Sequence, residues 1–471
     1  MASTQEFDLI VVGGGFAGLT AANRAQELGL RTVLIEKSGD TQYECNSRLG
    51  GGVIHVAFLS MLDDPEKMVQ AIGRISGGFT PEPLARALSV NAKRVVDWLK
   101  GMGAEFGEIE PTEGWKDHVF KPLGFHNNTD GLTWKGLGSD VTMQRMEARF
   151  AQAGGRFLRA TQADALIVEG GRCVGLKAKG PQGQVELRGA VVLADGGFQG
   201  NTEMLRRFVT DHPETLLARG PRSSSGDGIR MAEAVGAELV GMKYFYGHVL
   251  SADALSNPRL SPFPLLDFLA GAGIIVDGRG KRFCDESMWG VYIANAVAHN
   301  DMGGTPQVIF DDEIWNTTGK HFFSPANPNL LERGGTLHKA DDLESLAKLA
   351  GLPAAALTAT VEEYNAAFDA GRQDKLTPPR GAGRIPGKPI RKGPFYAAPG
   401  CAAITHTQGG VAVDAAARVL KAGGQPIPGL YAAGDVCGGL EGGPKVSYIG
   451  ALNQAIVYGM LAAESAAADR G

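Results

Sequence analysis

The stretch that decides the fold is "FDLIVVGGGFAGLTAANRAQELGLRTVLIEKSG", Phe7 to Gly39. Phe7 to Val12 is an apolar run of strand length, Ala17 to Leu28 has helical spacing and ends at Gly29, and Arg31 to Glu36 is a second strand. These pieces make one βαβ unit. Its turn carries Gly13, Gly15 and Gly18 in the pattern GxGxxG, and Glu36 follows at close to the ~20 residues expected of a ribose-binding acid. Glycines there let the backbone approach a pyrophosphate, toward which the helix N-terminus turns its N–H groups and positive dipole end. GxGxxG alone is weak evidence, but the strand-turn-helix setting and the acid together predict nucleotide binding. A glutamate selects a ribose with a free 2′-hydroxyl, which suits FAD or NAD rather than NADP.

At 471 residues the chain has room for two or three domains and a large core. Its 67 glycines are about twice the usual ~7% share, which predicts many tight turns and close backbone approaches. The formal charge of −5 argues against a general nucleic-acid binder. No run of about 18 apolar residues appears, and "MASTQEFDLIVVGGG" lacks the basic and apolar regions of a secretory signal, so the expectation is a cytoplasmic protein without a membrane span. Cys45, Cys173, Cys284, Cys401 and Cys437 show no CxxC spacing, which predicts reduced thiols and no metal site.

Further along, Asp97 to Met102 and Val141 to Gln152 read as helical, and "GGRFLRATQADALIVEGGRCVGLKAKG" as strands about a turn at Glu169 to Arg172. Ala190 to Ala194 is another buried strand, and "SSSGDGIRMAEAVGAEL" a helix with Asp227 as N-cap and Gly236 near its end. From about Tyr244 the chain becomes aromatic, proline-rich and irregular until about Thr405, which we read as a domain inserted into the first. Seven Lys/Arg between Arg372 and Lys392, opposed only by Asp374, form either a solvated loop or a lid over an anionic ligand. Strand patterning returns in "THTQGGVAVD" and "PIPGLYAAGD", followed by a helix at Ala451 to Ala468, and no repeat is visible.

Taken together, "VVGGGFAGLTAA", "NSRLGGG", "LADGGFQGN", "GDGIRMAEAVGAEL", "GKRFCDE", "THTQGG" and "PIPGLYAAGD" resemble the flavoprotein family of fumarate reductase and succinate dehydrogenase, which includes the 3-ketosteroid dehydrogenases. The resemblance runs from residue 7 to about 462 in the family's order. It implies an α/β fold: a Rossmann-like FAD-binding domain in two chain segments, 1–243 and 406–471, with an inserted α+β capping domain at 244–405. It implies FAD contacts from Gly13, Gly15, Phe16, Ala17, Gly18, Glu36, Lys37, Asn46, Ser47, Gly51 and Gly52, then from Ala163, Asp195, Ala451 and Leu452, with Asp435 holding the ribitol. Only one GxGxxG stands in the right setting, so no separate NAD(P)H domain is indicated, and the electron donor or acceptor is an external one: a quinone, an electron-transfer flavoprotein, oxygen or a dye. Cys45 lies near where some relatives attach FAD covalently.

In such families a hydride passes between a substrate carbon and the flavin while a protein group handles the proton on the adjacent carbon. The two histidines of soluble fumarate reductases match His248, in "MKYFYGH", and His406, in "ITHTQGG". Their threonine–glutamate pair falls on Leu265 and Leu266, the proton-donating arginine on Gly290, and Lys445 is the only cation near the place of the last arginine. Lysine is a poor bidentate clamp, so these departures predict a less charged substrate than fumarate. "SYIGALNQAIVYG" instead resembles the ketosteroid dehydrogenase branch, with Tyr448 as the tyrosine that, beside the Leu452 N–H, donates to a ketone oxygen. Tyr292, Tyr246, His248 and His406 remain alternative proton acceptors. The expected activity is introduction of a C=C bond next to the carbonyl of a small cyclic ketone, with a carboxylate such as that of an oxocyclohexane carboxylate as a candidate substituent. A fumarate-reductase-like ene reductase or carboxylic-acid dehydrogenase, and a non-redox flavoprotein, are the competing readings.

Overall fold

The computed structural model describes residues 3–112, 115–123, 134–321, 324–383 and 385–470. The apolar run at the N-terminus forms the strand Ser3–Val12, the helix Phe16–Glu27 follows the glycine turn, and Thr32–Ile35 returns parallel to the first strand, pairing Leu9 with Thr32 and Val12 with Ile35. Both strands are covered on two faces, and Leu9, Ile10, Val11, Val33 and Leu34 are completely buried. That burial explains unbroken apolar runs in place of alternation.

Five strands make the parallel part of this sheet, in the order Pro426–Ala432, Gly183–Leu193, Ser3–Val12, Thr32–Ile35, Arg156–Leu158. The strand read as Ala190 to Ala194 thus begins earlier, at Gly183, where it carries the antiparallel hairpin Gln162–Glu169 and Arg172–Gly180. Pro426–Ala432 comes from the far end of the chain, so the two ends share one sheet.

A second sheet is organised on the long strand Phe395–Thr407, which pairs with Phe245–Ser251, Gln307–Asp311, His338–Ala340 and Leu217–Ala218. The segment after Tyr244 is therefore not irregular: it also holds the helices Gly290–His299, Leu343–Ala350 and Ala354–Asp369. Frequent prolines concealed that order. The long strand runs through position 405, and Leu217–Ala218 joins it from the preceding segment, so chain on both sides of the expected boundaries takes part in this sheet. Leu239–Val240, Gly410–Ala412 and Cys437–Gly438 form a small separate sheet.

Asp227 is not the N-cap expected of it. Gly226 takes that place with φ +71°, and Asp227 is the first helical residue of Asp227–Ala234. Its carboxylate accepts from Lys37 at 3.0 Å and Ser225 at 2.9 Å. No helix among the described residues is long and apolar enough to cross a membrane, and no group of three His, Cys, Asp or Glu is placed to hold a metal. All five cysteines are free thiols.

Candidate active site

A cavity of about 1360 Å³ runs from the glycine turn to the long strand of the second sheet. That exceeds the ~300–1,000 Å³ of common small-ligand pockets and leaves room for a dinucleotide with a small substrate beside it. One end is a nucleotide cradle. Gly13 has φ +99°, and a Cβ there would stand 2.5 Å from the Ala194 carbonyl oxygen; one on Gly18 would stand 1.9 Å from Gly13 O. Glu36 turns its carboxylate back to the turn, accepting from Gly14 N at 3.0 Å and Ser38 N at 2.9 Å. Gly15, Ala17, Lys37 and Ala163 line the same end.

Midway, Asn46 donates through Nδ2 to Asp435 at 3.2 Å, while its Oδ1 and Oδ1 of Asp195 are buried without a partner. Asp195 accepts from Gly228 N at 2.7 Å through its other oxygen, and burial pushes its carboxyl up to about 6. Burial likewise raises Asp435. Acceptors left bare in a cavity fit a ligand rich in hydroxyl and N–H donors. These residues therefore fit FAD: Glu36 and Lys37 for the adenosine half, Asn46, Ser47, Gly51 and Asp435 for the ribitol and flavin, with Ala451 and Leu452 at the start of the helix Ala451–Ala468 alongside. Cys45 also lines the cavity, but burial lifts its thiol to about 12, which disfavours the thiolate that an attachment would need.

The far end gathers titratable and aromatic side chains. Tyr246 and His248 are two apart on the strand Phe245–Ser251, and Tyr246 is paired across the sheet with His406. The Tyr246 ring stacks on His406 with centroids 5.1 Å apart and meets the Tyr448 ring at 4.4 Å. His248 Nε2 lies 3.2 Å from the Tyr246 hydroxyl and its Nδ1 2.5 Å from Oδ2 of Asp267, whose Oδ1 accepts from Val249 N at 2.8 Å. The aromatic walls are Phe58, Trp289 and His55, with His55 and Tyr448 edge to face at 5.4 Å. Phe58 and Trp289 hold left-handed backbone, φ +65° and +81°, a strain that bulky residues carry only where packing imposes it.

Burial divides the titrating groups. It lowers His248, more than Asp267 compensates, and Arg219 nearby adds to the fall. His248 is thus neutral, its Nδ1–H donating to Asp267 and its Nε2 free to accept from Tyr246. Burial pulls His406 down as well, but the carboxylates of Asp435 and Glu441 outweigh it and raise the imidazole. Burial lifts the Tyr448 phenol well above its usual range, so it keeps its proton. Glu441 shapes the loop that carries Tyr448 by accepting from Ile449 N at 2.7 Å and Gly450 N at 2.9 Å.

Five residues assigned to the site lie outside this cavity. Lys445 is exposed and points its ammonium at Arg74 O, 3.3 Å away, because the turn before Tyr448 carries it outward. Tyr292 packs against the core from the helix Gly290–His299. Phe16 stacks on Phe120 at 5.2 Å, Gly18 backs Gly13, and Gly52 sits against Phe120 and Ser139. The basic segment is mostly pinned: Arg380 pairs with buried Glu286, Arg391 with Asp369 and Lys392 with Glu313. Of its cations Lys388 lines the cavity, and Arg384 lies outside the described residues.

Sequence reasoning missed Asp267, Arg219, His55, Phe58 and Trp289, all of which line the cavity. Asp267 directly follows the Leu265–Leu266 pair, so a charged residue beside that departure was a usable signal.

Comparison with known proteins agrees with this geometry. The family model described as FAD binding domain matches residues 8–445. NADH:acrylate oxidoreductase of Vibrio harveyi is 32% identical over 98% of this chain and 50% of its own, so the chain spans about half the length of that relative. The 4-oxocyclohexanecarboxylate 2-dehydrogenase of Sinomonas cyclohexanicum is 27% identical over 91% of this chain and 87% of its own. Among solved structures, 3-ketosteroid Δ1-dehydrogenase of Sterolibacterium denitrificans matches in fold with a TM-score of 0.74 at 20% identity, covering 98% of this chain and 99% of that one. The chain belongs to the FAD binding domain family, and its cofactor is FAD.

Proposed function

We propose that the protein is a dehydrogenase that introduces a C=C bond α,β to the carbonyl of a small cyclic ketone, the preferred substrate carrying a carboxylate. The observation that carries this reading is the unbroken line Tyr448, Tyr246, His248, Asp267 along one wall of the cavity. Tyr448, held protonated, donates to the ketone oxygen, with the amide of Leu452 as a second donor. Polarising the carbonyl acidifies the α-carbon. Tyr246 takes the α-proton as its own hydroxyl proton passes to Nε2 of His248, and Asp267 stabilises the imidazolium that forms. FAD, when bound, supplies the acceptor for the hydride that leaves the β-carbon. Phe58, Trp289, Phe263 and Leu265 give the ring an apolar, water-poor seat. The relative from Sinomonas cyclohexanicum, named for dehydrogenation of a cyclic oxo acid, supports the substrate class. The electron carrier that reoxidises the flavin is external.

A second reading, an ene reductase of a short unsaturated acid, draws on His406, whose imidazole Asp435 and Glu441 raise against the pull of burial and so favour as a proton donor, and on the Vibrio harveyi relative. Anaerobic mixing separates the two. A cyclic oxo acid should bleach the oxidised yellow protein under the first reading; under the second, acrylate or fumarate restores colour to the reduced protein and no ketone bleaches it.

A further inference from the structure

The places where the family's arginines would hold a carboxylate are closed in this chain. A Cβ at position 290 would sit 1.8 Å from Oδ2 of Asp267, so the glycine there is dictated by the carboxylate packed on it, and no longer side chain can project. Lys445 faces the surface. The cavity nevertheless contains a guanidinium.

Arg219 follows the short strand Leu217–Ala218, and its amide bonds Ile404 O of the long strand at 2.8 Å. That pairing fixes the side chain on the cavity wall, where Nη1 donates to Thr405 Oγ1 at 2.8 Å and the guanidinium lies 5.6 Å from the Phe263 ring centre. Its Nε is buried with no hydrogen-bond partner, and no described carboxylate lies within 4.0 Å of it. Burial pushes this guanidinium below its usual range while Tyr246 and Asp267 pull it up. Its partner Thr405 directly precedes His406, which pairs with Tyr246 across the sheet, so Arg219 stands at the Tyr246 end of the cavity. A half-buried guanidinium without a carboxylate partner is costly, and its planar fork suits a carboxylate. The other described lysines on the wall are already engaged: Lys37 bonds Asp227 at 3.0 Å at the nucleotide end, and half-buried Lys388 bonds Thr317 Oγ1 at 2.9 Å.

We propose that Arg219 is the carboxylate-anchoring, specificity-determining residue of the substrate site, supplied from the end of the strand Leu217–Ala218 in place of the arginine that Asp267 and Gly290 exclude. The inference rests on the proposed reaction only for the identity of the ring; the anchor itself requires a carboxylate alone. The FAD-loaded protein is titrated with cyclohexanecarboxylate and with its neutral amide, neither of which has a ketone to oxidise, and the flavin absorbance is followed. The wild-type protein is expected to bind the acid at least about 10-fold tighter than the amide. Arg219→Gln weakens the acid about 100-fold and leaves the amide within about 3-fold. Arg219→Lys keeps a point charge without the fork and falls between; should Arg219→Gln lose FAD or melt early, this variant carries the test. Equal affinity for acid and amide, no response to either, or an equal loss of both in the variants overturns the proposal. Arg219-dependent acid binding without bleaching by any cyclic oxo acid sinks the reaction reading and leaves the anchor standing.

Discussion

Tyr246 and His248 share a hydrogen bond of 3.2 Å between the phenol and Nε2, on two residues that one strand turns to the same face. Replacing Tyr246 with Phe keeps the ring stacked between His406 and Tyr448 and removes only the hydroxyl. Turnover of the cyclic oxo acid should fall by about 100- to 10,000-fold, the range of a lost general base. FAD content and thermal stability should stay at wild-type values. Stopped-flow bleaching of the variant checks this, and a change confined to KM would count against it.

Tyr448→Phe removes the proposed donor to the ketone oxygen. The expected loss is about 100- to 1,000-fold in kcat, with the substrate still bound because the apolar walls Phe58 and Trp289 are unchanged. Comparing kcat with KM for the same substrate distinguishes this from a packing role, which would lower stability instead.

The pH profile carries a sign. In the proposed reaction His248 accepts a proton and must begin neutral, so activity should fall as pH drops through its folded pKa. Burial sets that value below the ordinary ~6.5, and the acid limb should appear below it. Asp267 opposes burial by stabilising the charged imidazole, so Asp267→Asn moves the limb further down. The same change frees the ring to take the wrong tautomer and lowers the plateau about 100-fold or more. A limb displaced upward would contradict the assignment.

Gly290→Ala forces a methyl onto the Asp267 carboxylate, only 1.8 Å from Oδ2. Overpacking of this kind costs about 1–3 kcal/mol, read as a lower melting temperature. Because Asp267 is the group displaced, Asp267→Ala with Gly290→Ala should cost less than the two single changes added together. Strict additivity would show that the two positions do not compete for space.

Local patterns showed the cofactor half of the fold in the sequence. Gly13, Gly15 and Glu36 are read from a spacing that the backbone itself demands, and they stand where that spacing puts them. His248, His406 and Tyr448 followed from motifs, and all three line the cavity. Arg219 was invisible because its role depends on the pairing of Leu217–Ala218 with Ala403 and Ile404, nearly two hundred residues away, which no local pattern encodes. Lys445 misled for the complementary reason: it is close in sequence to Tyr448, yet the turn between them, with Val446 at φ +45°, sends the two side chains in opposite directions. The leucines at 265 and 266 were noticed as departures, but their meaning lay in the next residue, Asp267, and in the glycine it imposes at 290.

Anaerobic mixing of the FAD-loaded protein with 4-oxocyclohexanecarboxylate decides whether the proposed reaction occurs. Rapid loss of the yellow absorbance with formation of the conjugated enone is expected, and no reoxidation of the reduced protein by fumarate. A protein that stays yellow with the oxo acid, and whose reduced form is reoxidised by fumarate or acrylate, would contradict it.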